Sequence, residues 1–456
     1  MRNVLKFLCP IFLLLGFSLN AQDFVRVNQV GYLTKSPKVA LIASLNASEF
    51  QVKEAKTDKL VYSGKLGEGK FWNLSNETIQ VADFSALNEE GEYYVEINGE
   101  KSYPFEIKSD GLFHDLSVWT IKAFYLWRSS IAIDSAYATF KGYNFAREIG
   151  HPDTMVFIHQ SAATEKRRTE SVISSPKGWY DAGDYNKYVV NAGITLHNML
   201  LAYELFPDYY DTLKLNIPES GNGVSDLLNE IRWEVDWLLT MQDPYDGGVY
   251  HKLTTKHFCG MVQPVDDKLE RYVVKKSTAA TLDFVAEMAM ISRVYKNVDK
   301  ELSKKALKAA EKAWNWAKSN AAILFTNPEG IRTGSYADMN VEDEWFWAAS
   351  EMFITTKEEK YFKELDFFQK FESPNWSKVN TLGLLSLRVH LDDLPECADK
   401  NVISRKFYTL VNGLYNQYKF AGGKISLKKF AADCKKWEGC AVICMRRPAD
   451  AHPYTV

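Results

Sequence analysis

Apolar and polar residues alternate along the first part of the chain. From Phe24 to about Lys108, short stretches such as 78–81 place apolar side chains at every second position, which predicts strands with one buried face. Asn98-Gly99 lies between two such stretches and predicts a hairpin, because both residue types tolerate positive φ. About seven strands in about 85 residues are typical of an immunoglobulin-like β-sandwich, which we place at residues 22–108.

After Ser109 the apolar residues recur every three to four positions, a spacing that predicts amphipathic helices. Irregular loops rich in Gly, Pro and Asp join these segments, so the functional side chains are expected on loops. The fold class is therefore mixed and multidomain, with an all-β sandwich followed by an all-α domain at residues 109–419. The predicted helical segments are 112–132, 189–206, 223–241, 277–295, 300–320, 341–355, 358–371, 376–390 and 401–418.

The amino terminus has the pattern of a secretory signal. Arg2 and Lys6 precede an apolar run from Phe7 to Leu19, and small residues follow as far as Ala21. This order predicts a signal peptide over residues 1–21, with cleavage near Ala21 and a secreted or periplasmic product. The apolar run is too short to span a bilayer comfortably. A lipid anchor on Cys9 is a less favoured alternative, because little apolar sequence precedes that residue.

Composition and charge exclude several kinds of partner. The net charge is −3 and no basic tract stands out, so nucleic acid and membrane surfaces are not expected partners. The chain is expected to be a monomer. Its 12 Trp, 24 Tyr and 26 Phe supply more flat apolar surface than packing requires, and sugar-binding clefts use such surface for stacking. Most of these rings must still belong to the core.

Two aspartates dominate the segment 178–188, which reads GWYDAGDYNKY and precedes a predicted helix. Asp181 and Asp184 are three residues apart and can share one water molecule. Glycoside hydrolysis with inversion needs a carboxylate base for that water and a separate acid roughly 6.5–9.5 Å away. One aspartate can act as the base while the other orients the water and raises its neighbour's proton affinity. The alternative is that an aspartate caps the helix.

This segment resembles the signature of glycoside hydrolase family 9, the inverting cellulases, in which Asp-Ala-Gly-Asp is followed after two residues by Lys and an aromatic residue. Further segments resemble the same family in the same order, so that the resemblance runs from about residue 24 to about residue 418. It implies an (α/α)6 toroid after the sandwich and a cellulase-like endo-β-1,4-glucanase acting on β-glucan. These segments are 24–42, 150–154, 246–252, 271–280 and 340–349.

The resemblance also implies roles for individual residues. Asp184 is expected to be the catalytic base and Asp181 to position the water, while His251 and Trp347 are expected to line glucan-binding subsites. From the residues alone, a loop histidine in local hydrogen bonds is the more common role for His251, and a place in a helix core is the more common one for Trp347; the resemblance makes the two interpretations of each residue about equal. The acidic pair Asp343-Glu344 is expected to hold neighbouring loops, without a catalytic role.

No metal or cofactor is expected to be required. Family members with this amino-terminal module often hold a structural zinc with paired Cys and His, but the place of one Cys here reads Arg128-Ser129-Ser130. A closed tetrahedral zinc site of that kind needs thiolates, so zinc is not expected. Calcium stays open, because its oxygen ligands leave no clear spacing signature.

The carboxyl-terminal region departs from the family. The family's catalytic acid is a Glu near the carboxyl end, preceded by His-Arg, and neither motif is found here. About nine predicted helices fall short of the twelve in a full toroid. We therefore expect the helical domain to be truncated, residues 420–456 to be an aberrant tail and this copy to be impaired. A shifted reading frame explains the tail better than a cysteine-rich family variant.

The cysteines do not indicate a disulfide framework, because an odd number remains once Cys9 is removed with the signal. A zinc site from the last three with His452 has no familiar finger spacing. The six cysteines are at positions 9, 259, 397, 434, 440 and 444.

Two other functions stay open. One is an inactive glucan-binding protein, and the other is a helical-toroid polysaccharide lyase that uses Tyr or His with Arg. The choice among cellulose, mixed-linkage glucan and xyloglucan, and between endo and exo action, also stays open.

Overall fold

The computed structural model describes residues 24–73, 75–140 and 142–420, with side chains as far as Asn416. The predicted signal peptide and nearly all of the predicted tail lie outside these residues. The chain folds into two compact units, which divide between Leu116 and Ser117.

Short strands form two sheets in the first unit. One sheet has the order β1-β3-β7-β6, and the other has the order β2-β10-β8-β4-β5 with β9 paired to β8. The strands pair antiparallel except for the parallel pair β2 and β10. Their bounds are β1 Val25–Arg26, β2 Tyr32–Leu33, β3 Val39–Ala43, β4 Glu49–Glu54, β5 Leu60–Lys65, β6 Lys70–Trp72, β7 Glu77–Asp83, β8 Gly91–Ile97, β9 Glu100–Lys101 and β10 Phe105–Lys108.

The inward-facing residues of both sheets form one core, in which Val52, Val95 and Ile107 are fully buried. Strand β8 turns into β9 at Asn98-Gly99, where both residues have positive φ (51° and 88°), as the hairpin prediction requires. The predicted sandwich is confirmed.

Helices are the main elements of the second part of the chain. Helix α6 is buried on every side and contacts α3, α7 and α8, as expected of a helix in the middle of a helical domain. In the described residues, no helix is long and apolar enough to cross a bilayer. The helices are α1 His114–Leu126, α2 Ser135–Ala138, α3 Val189–Leu205, α4 Pro207–Thr212, α5 Asp226–Met241, α6 Thr278–Val294, α7 Lys300–Ser319, α8 Glu342–Thr356, α9 Glu359–Phe362, α10 Asn380–Val389 and α11 Lys400–Phe420.

Very short strands also lie among these helices, which the prediction of an all-α domain missed. They form a two-stranded hairpin, β11-β12, and a sheet of order β14-β13-β17-β16-β15. Runs of two or three residues are too short to show a period in the sequence. The strands are β11 Thr139–Phe140, β12 Tyr143–Asn144, β13 Val156–Ile158, β14 Val172–Ile173, β15 Lys187–Tyr188, β16 Lys252–Thr254 and β17 Tyr272–Val273.

The predicted helix at 358–371 is also shorter than expected, since α9 ends at Phe362. Beyond it the backbone N–H of Phe368 donates to the Asp366 carboxylate, 2.8 Å away. Such local side-chain bonds compete with helical hydrogen bonds.

Candidate active site

The segment 178–188 forms an irregular turn that leads into β15 and α3. The backbone N–H of Asp181 donates to the carbonyl of Asn186, 3.0 Å away, and closes the turn. Tyr185 within it has a φ of +57°, a left-handed conformation that is uncommon for a bulky residue. The turn therefore brings the side chains of Asp181 and Asp184 to the same part of the molecule.

The Asp181 carboxylate is held by one donor on each oxygen. Oδ1 accepts from Asn191 Nδ2 at 2.7 Å, and Oδ2 accepts from the Tyr336 hydroxyl at 2.9 Å. Burial raises the pKa of Asp181, the two donors act in the opposite direction, and the nearby charge of Asp184 adds to the rise. The orientation of this carboxylate is thus set from α3 and from the loop before α8.

The Asp184 carboxylate is held on one side only. Its Oδ2 accepts from the Tyr188 hydroxyl at 2.8 Å and from Asn186 Nδ2 at 2.9 Å. Its Oδ1 is buried and accepts no hydrogen bond from the described residues. One oxygen is therefore fixed in place while the other keeps its lone pairs, which is the arrangement that a general base needs.

Neither aspartate caps the following helix. Helix α3 begins at Val189, and its N-cap residue is Tyr188, which makes no side-chain capping bond. The helix-capping alternative is therefore wrong for this pair.

A buried ion cluster anchors the turn. Lys187 is fully buried, and its Nζ lies 2.7 Å from Asp153 Oδ2. Arg271 Nε lies 3.1 Å from the other oxygen of Asp153. The cations hold the pKa of Asp153 below its usual value against the effect of burial. Because buried charges are stable only when they are paired, the lysine of the signature has a structural reason to be present.

Helix α5 supports the same turn through two glutamates. Glu234 Oε2 accepts from the backbone N–H of Trp179 at 2.6 Å, and Glu230 accepts from the indole N–H of Trp179 at 2.8 Å. Glu230 also pairs with the buried Arg128, 2.9 Å away. Burial raises the pKa of Glu234 to about 8. Trp179, which precedes Tyr180 and Asp181, is therefore held in place by the buried carboxyl groups of α5.

Tyr336 is a site residue that the sequence did not reveal. Its ring packs edge-on against Tyr188, with ring centres 4.6 Å apart, and against Trp376, with centres 5.2 Å apart. Tyr188 and Tyr336 each donate to one aspartate of the pair. The sequence signal that could have found Tyr336 was its position in a Gly-containing loop between two predicted helices, which is where functional residues concentrate.

His251 and Trp347 are both 0% exposed. His251 Nε2 donates to the carbonyl of Ser335, 3.2 Å away, and its Nδ1 lies 2.8 Å from Ser277 Oγ. Burial lowers the pKa of His251 to about 3. These contacts are those of a histidine in local hydrogen bonds. Through Ser335, His251 contacts the segment that carries Tyr336.

Trp347 lies on α8 in a small apolar cluster with Ala286, Val379 and Leu382. Its indole N–H donates to Glu351, 3.1 Å away. The structure thus does not bring Trp347 to the surface beside the aspartates. Asp343 accepts from the backbone N–H of Val379 at 2.8 Å, so it holds a loop as predicted.

Ser130 lies in the segment where the resemblance places a zinc-binding cysteine, and it makes hydrogen bonds instead. Ser130 Oγ donates to the carbonyl of His151 at 2.9 Å. The His151 ring lies 2.9 Å from the Tyr180 hydroxyl and 3.1 Å from Asp267. This donor set does not fit a thiolate zinc site. Among the described residues, no three His, Cys, Asp or Glu side chains are placed to hold a metal ion. Cys434, Cys440, Cys444 and His452 lie outside those residues.

Comparison with known proteins identifies the family. The model of glycosyl hydrolase family 9 matches residues 114–430, and the model of the cellulase N-terminal ig-like domain matches residues 20–102. The first match covers well over half of the chain. The chain belongs to glycosyl hydrolase family 9.

Individual relatives agree. The chain is 42% identical over 376 residues to a xyloglucan-specific endo-beta-1,4-glucanase of Bacteroides ovatus, covering 80% of this chain and 63% of the relative. It is 36% identical over 370 residues to endoglucanase D of Acetivibrio thermocellus, covering 79% of this chain and 57% of the relative. The chain thus spans less than two thirds of the length of these relatives.

Solved structures share the fold. The structure named Bacteroides ovatus GH9 has a TM-score of 0.78 and 38% identity, covering 85% of this chain and 72% of that one. A metagenome-derived family 9 endoglucanase has a TM-score of 0.75 and 29% identity, covering 84% of this chain and 71% of that one. The predicted order of an immunoglobulin-like sandwich and a helical family 9 domain is confirmed.

Proposed function

We propose that this chain is a secreted glycoside hydrolase that cuts internal β-1,4 bonds of a glucan with inversion at the anomeric carbon. The observation that carries the proposal is the hydrogen bonding of the Asp184 carboxylate. Two donors orient its Oδ2, while its Oδ1 accepts no bond from the described residues. We assign Asp184 as the base that takes a proton from the attacking water.

Asp181 is assigned to orient the same water. Asn191 and Tyr336 each use one lone pair on its two oxygens, and each oxygen keeps another that can accept from water. The charge of a second carboxylate also strengthens the proton affinity of the base. His251 and Lys252 hold the neighbouring loop and are not assigned to contact the sugar.

Inversion also needs a general acid on the opposite side of the bond. We assign no residue to it, because the family's acid has no counterpart by sequence in residues 24–419. Hydrolysis without such an acid is expected to be slower by about 100-fold to 10,000-fold. We therefore propose that turnover by this copy is slow.

The proposed substrate is a β-1,4-glucan. One relative is named as a xyloglucan-specific glucanase and another as an endoglucanase. The test of the substrate therefore includes both xyloglucan and unsubstituted glucan. Measuring reducing ends released from xyloglucan, mixed-linkage glucan and carboxymethylcellulose by the purified chain tests the proposal. NMR of the first product should show the α-anomer.

Replacing Asp184 with Asn is expected to lower the rate on the best substrate at least about 100-fold. Asp208→Asn, an exposed acid on α4, serves as the control and is expected to keep the wild-type rate. If Asp184→Asn releases reducing ends as fast as the wild type, Asp184 is not the base. Binding of glucan without product would indicate a binding protein, and products with an unsaturated, ultraviolet-absorbing bond would indicate a lyase.

We also propose that the mature protein is a monomer without a required cofactor. Neither zinc nor calcium is assigned a role in the reaction. Dialysis against a chelator is expected to leave the rate unchanged. In size-exclusion chromatography the protein is expected to elute at the volume of one chain. Amino-terminal sequencing of the exported protein should begin at Gln22.

A further inference from the structure

Lys252 is a buried cation to which the proposed reaction assigns no role. It opens β16 and is 0% exposed. Its Nζ donates to Asn327 Oδ1 at 2.8 Å, to Thr333 Oγ1 at 3.1 Å and to the carbonyl of Gly334. All three acceptors are neutral. Because burial of an ammonium group is costly without a compensating negative charge, its presence here requires a reason.

The segment that Lys252 binds leads directly to Tyr336. Thr254 adds a hydroxyl contact of 2.6 Å to Thr333, and His251 donates to the carbonyl of Ser335. Tyr336 itself has a φ of +43°, a strained conformation for a bulky residue that persists only where its surroundings impose it. The contacts from residues 251–254 therefore hold the segment that places the Tyr336 hydroxyl on Asp181.

Lys252 also lies beside a side chain that binds the other aspartate. Its Nζ lies 5.5 Å from the centre of the Tyr188 ring, and the Tyr188 hydroxyl donates to Asp184 Oδ2 at 2.8 Å. Burial lowers the pKa of Lys252 to about 7, and the charge of Asp184 acts in the opposite direction. The charge of Asp184 acts to raise the pKa of five titratable groups of the described residues, which are Asp181, Tyr188, Lys252, Cys259 and Tyr336.

We infer that Lys252 is a positioning residue of the aspartate pair. Its ammonium group fixes segment 333–336, which places Tyr336 on Asp181, and it lies beside the Tyr188 ring, whose hydroxyl binds Asp184. Its role in hydrolysis rests on the proposed function, whereas its coupling to the pair does not.

The first test compares two lysine variants of the full chain. The Nζ atoms of Lys252 and Lys275 lie 5.7 Å and 5.4 Å from the centre of the same Phe325 ring, so Lys275→Met is a matched control. Lys252→Met is expected to move the carboxyl ¹³C NMR titration of the aspartate pair, and the acid limb of the rate profile, about one unit to higher pH. The value of kcat should fall about 100-fold through misplacement, with KM nearly unchanged.

Lys275→Met is expected to leave both profiles at their wild-type positions. An unshifted titration of the pair in Lys252→Met overturns the inference, and a lowered melting temperature in the same variant would then show that Lys252 is only structural.

The second test uses a variant that retains Lys252, so that it decides the question even where Lys252→Met does not fold. Coupling between two titrating groups is reciprocal. Asp184→Asn is therefore expected to move the ¹⁵N NMR titration of the Lys252 ammonium about one unit to lower pH, with Asp208→Asn unchanged. An unshifted Lys252 titration in Asp184→Asn overturns the inference. Because neither titration requires turnover, a chain that releases no sugar would refute the proposed function while these results still decide the role of Lys252.

Discussion

Two groups of carboxyl side chains in the helical part of the chain have opposite surroundings. Asp181 and Asp184 together accept four hydrogen bonds from tyrosine hydroxyls and asparagine amides. Asp283 and Glu287 on α6 are fully buried, and none of their four oxygens accepts a hydrogen bond from the described residues. Burial raises the pKa values of Asp283 and Glu287 well above their usual range.

The difference shows that donors, rather than residue type, decide what a carboxyl group can do. Hydrogen bonds to the ionised form keep a half-buried aspartate ready to take a proton. A carboxyl group without donors or cations in an apolar interior keeps its own proton instead. The α6 acids therefore act as neutral core residues, while the pair in 178–188 is the one to which we assign acid-base chemistry.

Asp153 is a third case, because it is buried and yet kept ionised by the neighbouring cations Lys187 and Arg271. Asp153→Asn leaves two buried cations without a counter-charge, and it is expected to lower the free energy of unfolding by about 3–5 kcal/mol. Urea denaturation followed by tryptophan fluorescence measures the change. The surface variant Asp208→Asn should stay within about 0.5 kcal/mol of the wild type. A similarly small change in Asp153→Asn would contradict the ion cluster.

Tyr336→Phe removes one of the donors that distinguish the pair. The pKa of Asp181 should rise further, because a hydrogen bond to the ionised form is lost. The acid limb of the rate profile should therefore move to higher pH. The rate should fall about tenfold, equivalent to about 1.4 kcal/mol for a hydrogen bond to a charged group. Tyr245→Phe, which alters an exposed ring, is the control. A rate profile of Tyr336→Phe that superimposes on the wild type would show that this donor is dispensable.

Glu234 tests the opposite case, a carboxyl group that keeps its proton. Its pKa is raised from 4.5 to about 8 in the folded chain, so its stabilising contribution is complete below about pH 4.5 and is lost as the pH rises through 8. Between these limits the free energy of unfolding should fall by up to about 1.4 kcal/mol per pH unit from this group.

Glu234→Gln keeps an acceptor for the Trp179 N–H and removes the titration. Urea denaturation from pH 5 to pH 8 should therefore show a shallower decline for Glu234→Gln than for the wild type. Equal slopes would mean that Glu234 is ionised throughout this range.

Much of the fold could be predicted because its signals are local. The period of two through β3, β7 and β8, and the Asn98-Gly99 turn, predict the sandwich. The apolar spacing of α3, α5, α6, α7 and α8 predicts helices close to their observed bounds. Where the prediction was wrong, as at 358–371, the helix ends at Phe362, and the apolar spacing does not show where it stops.

The sequence alone determined the family, the order of the two kinds of domain and the pair Asp181-Asp184, because these depend on residues that are neighbours along the chain. Only the tertiary structure decided that Tyr336, 155 residues away, donates to Asp181, that the Lys252 Nζ lies 5.5 Å from the centre of the Tyr188 ring, and that His251 and Trp347 are buried. The physical reason is that donors and charges act through space. Helix packing brings together groups whose separation along the chain carries no signal.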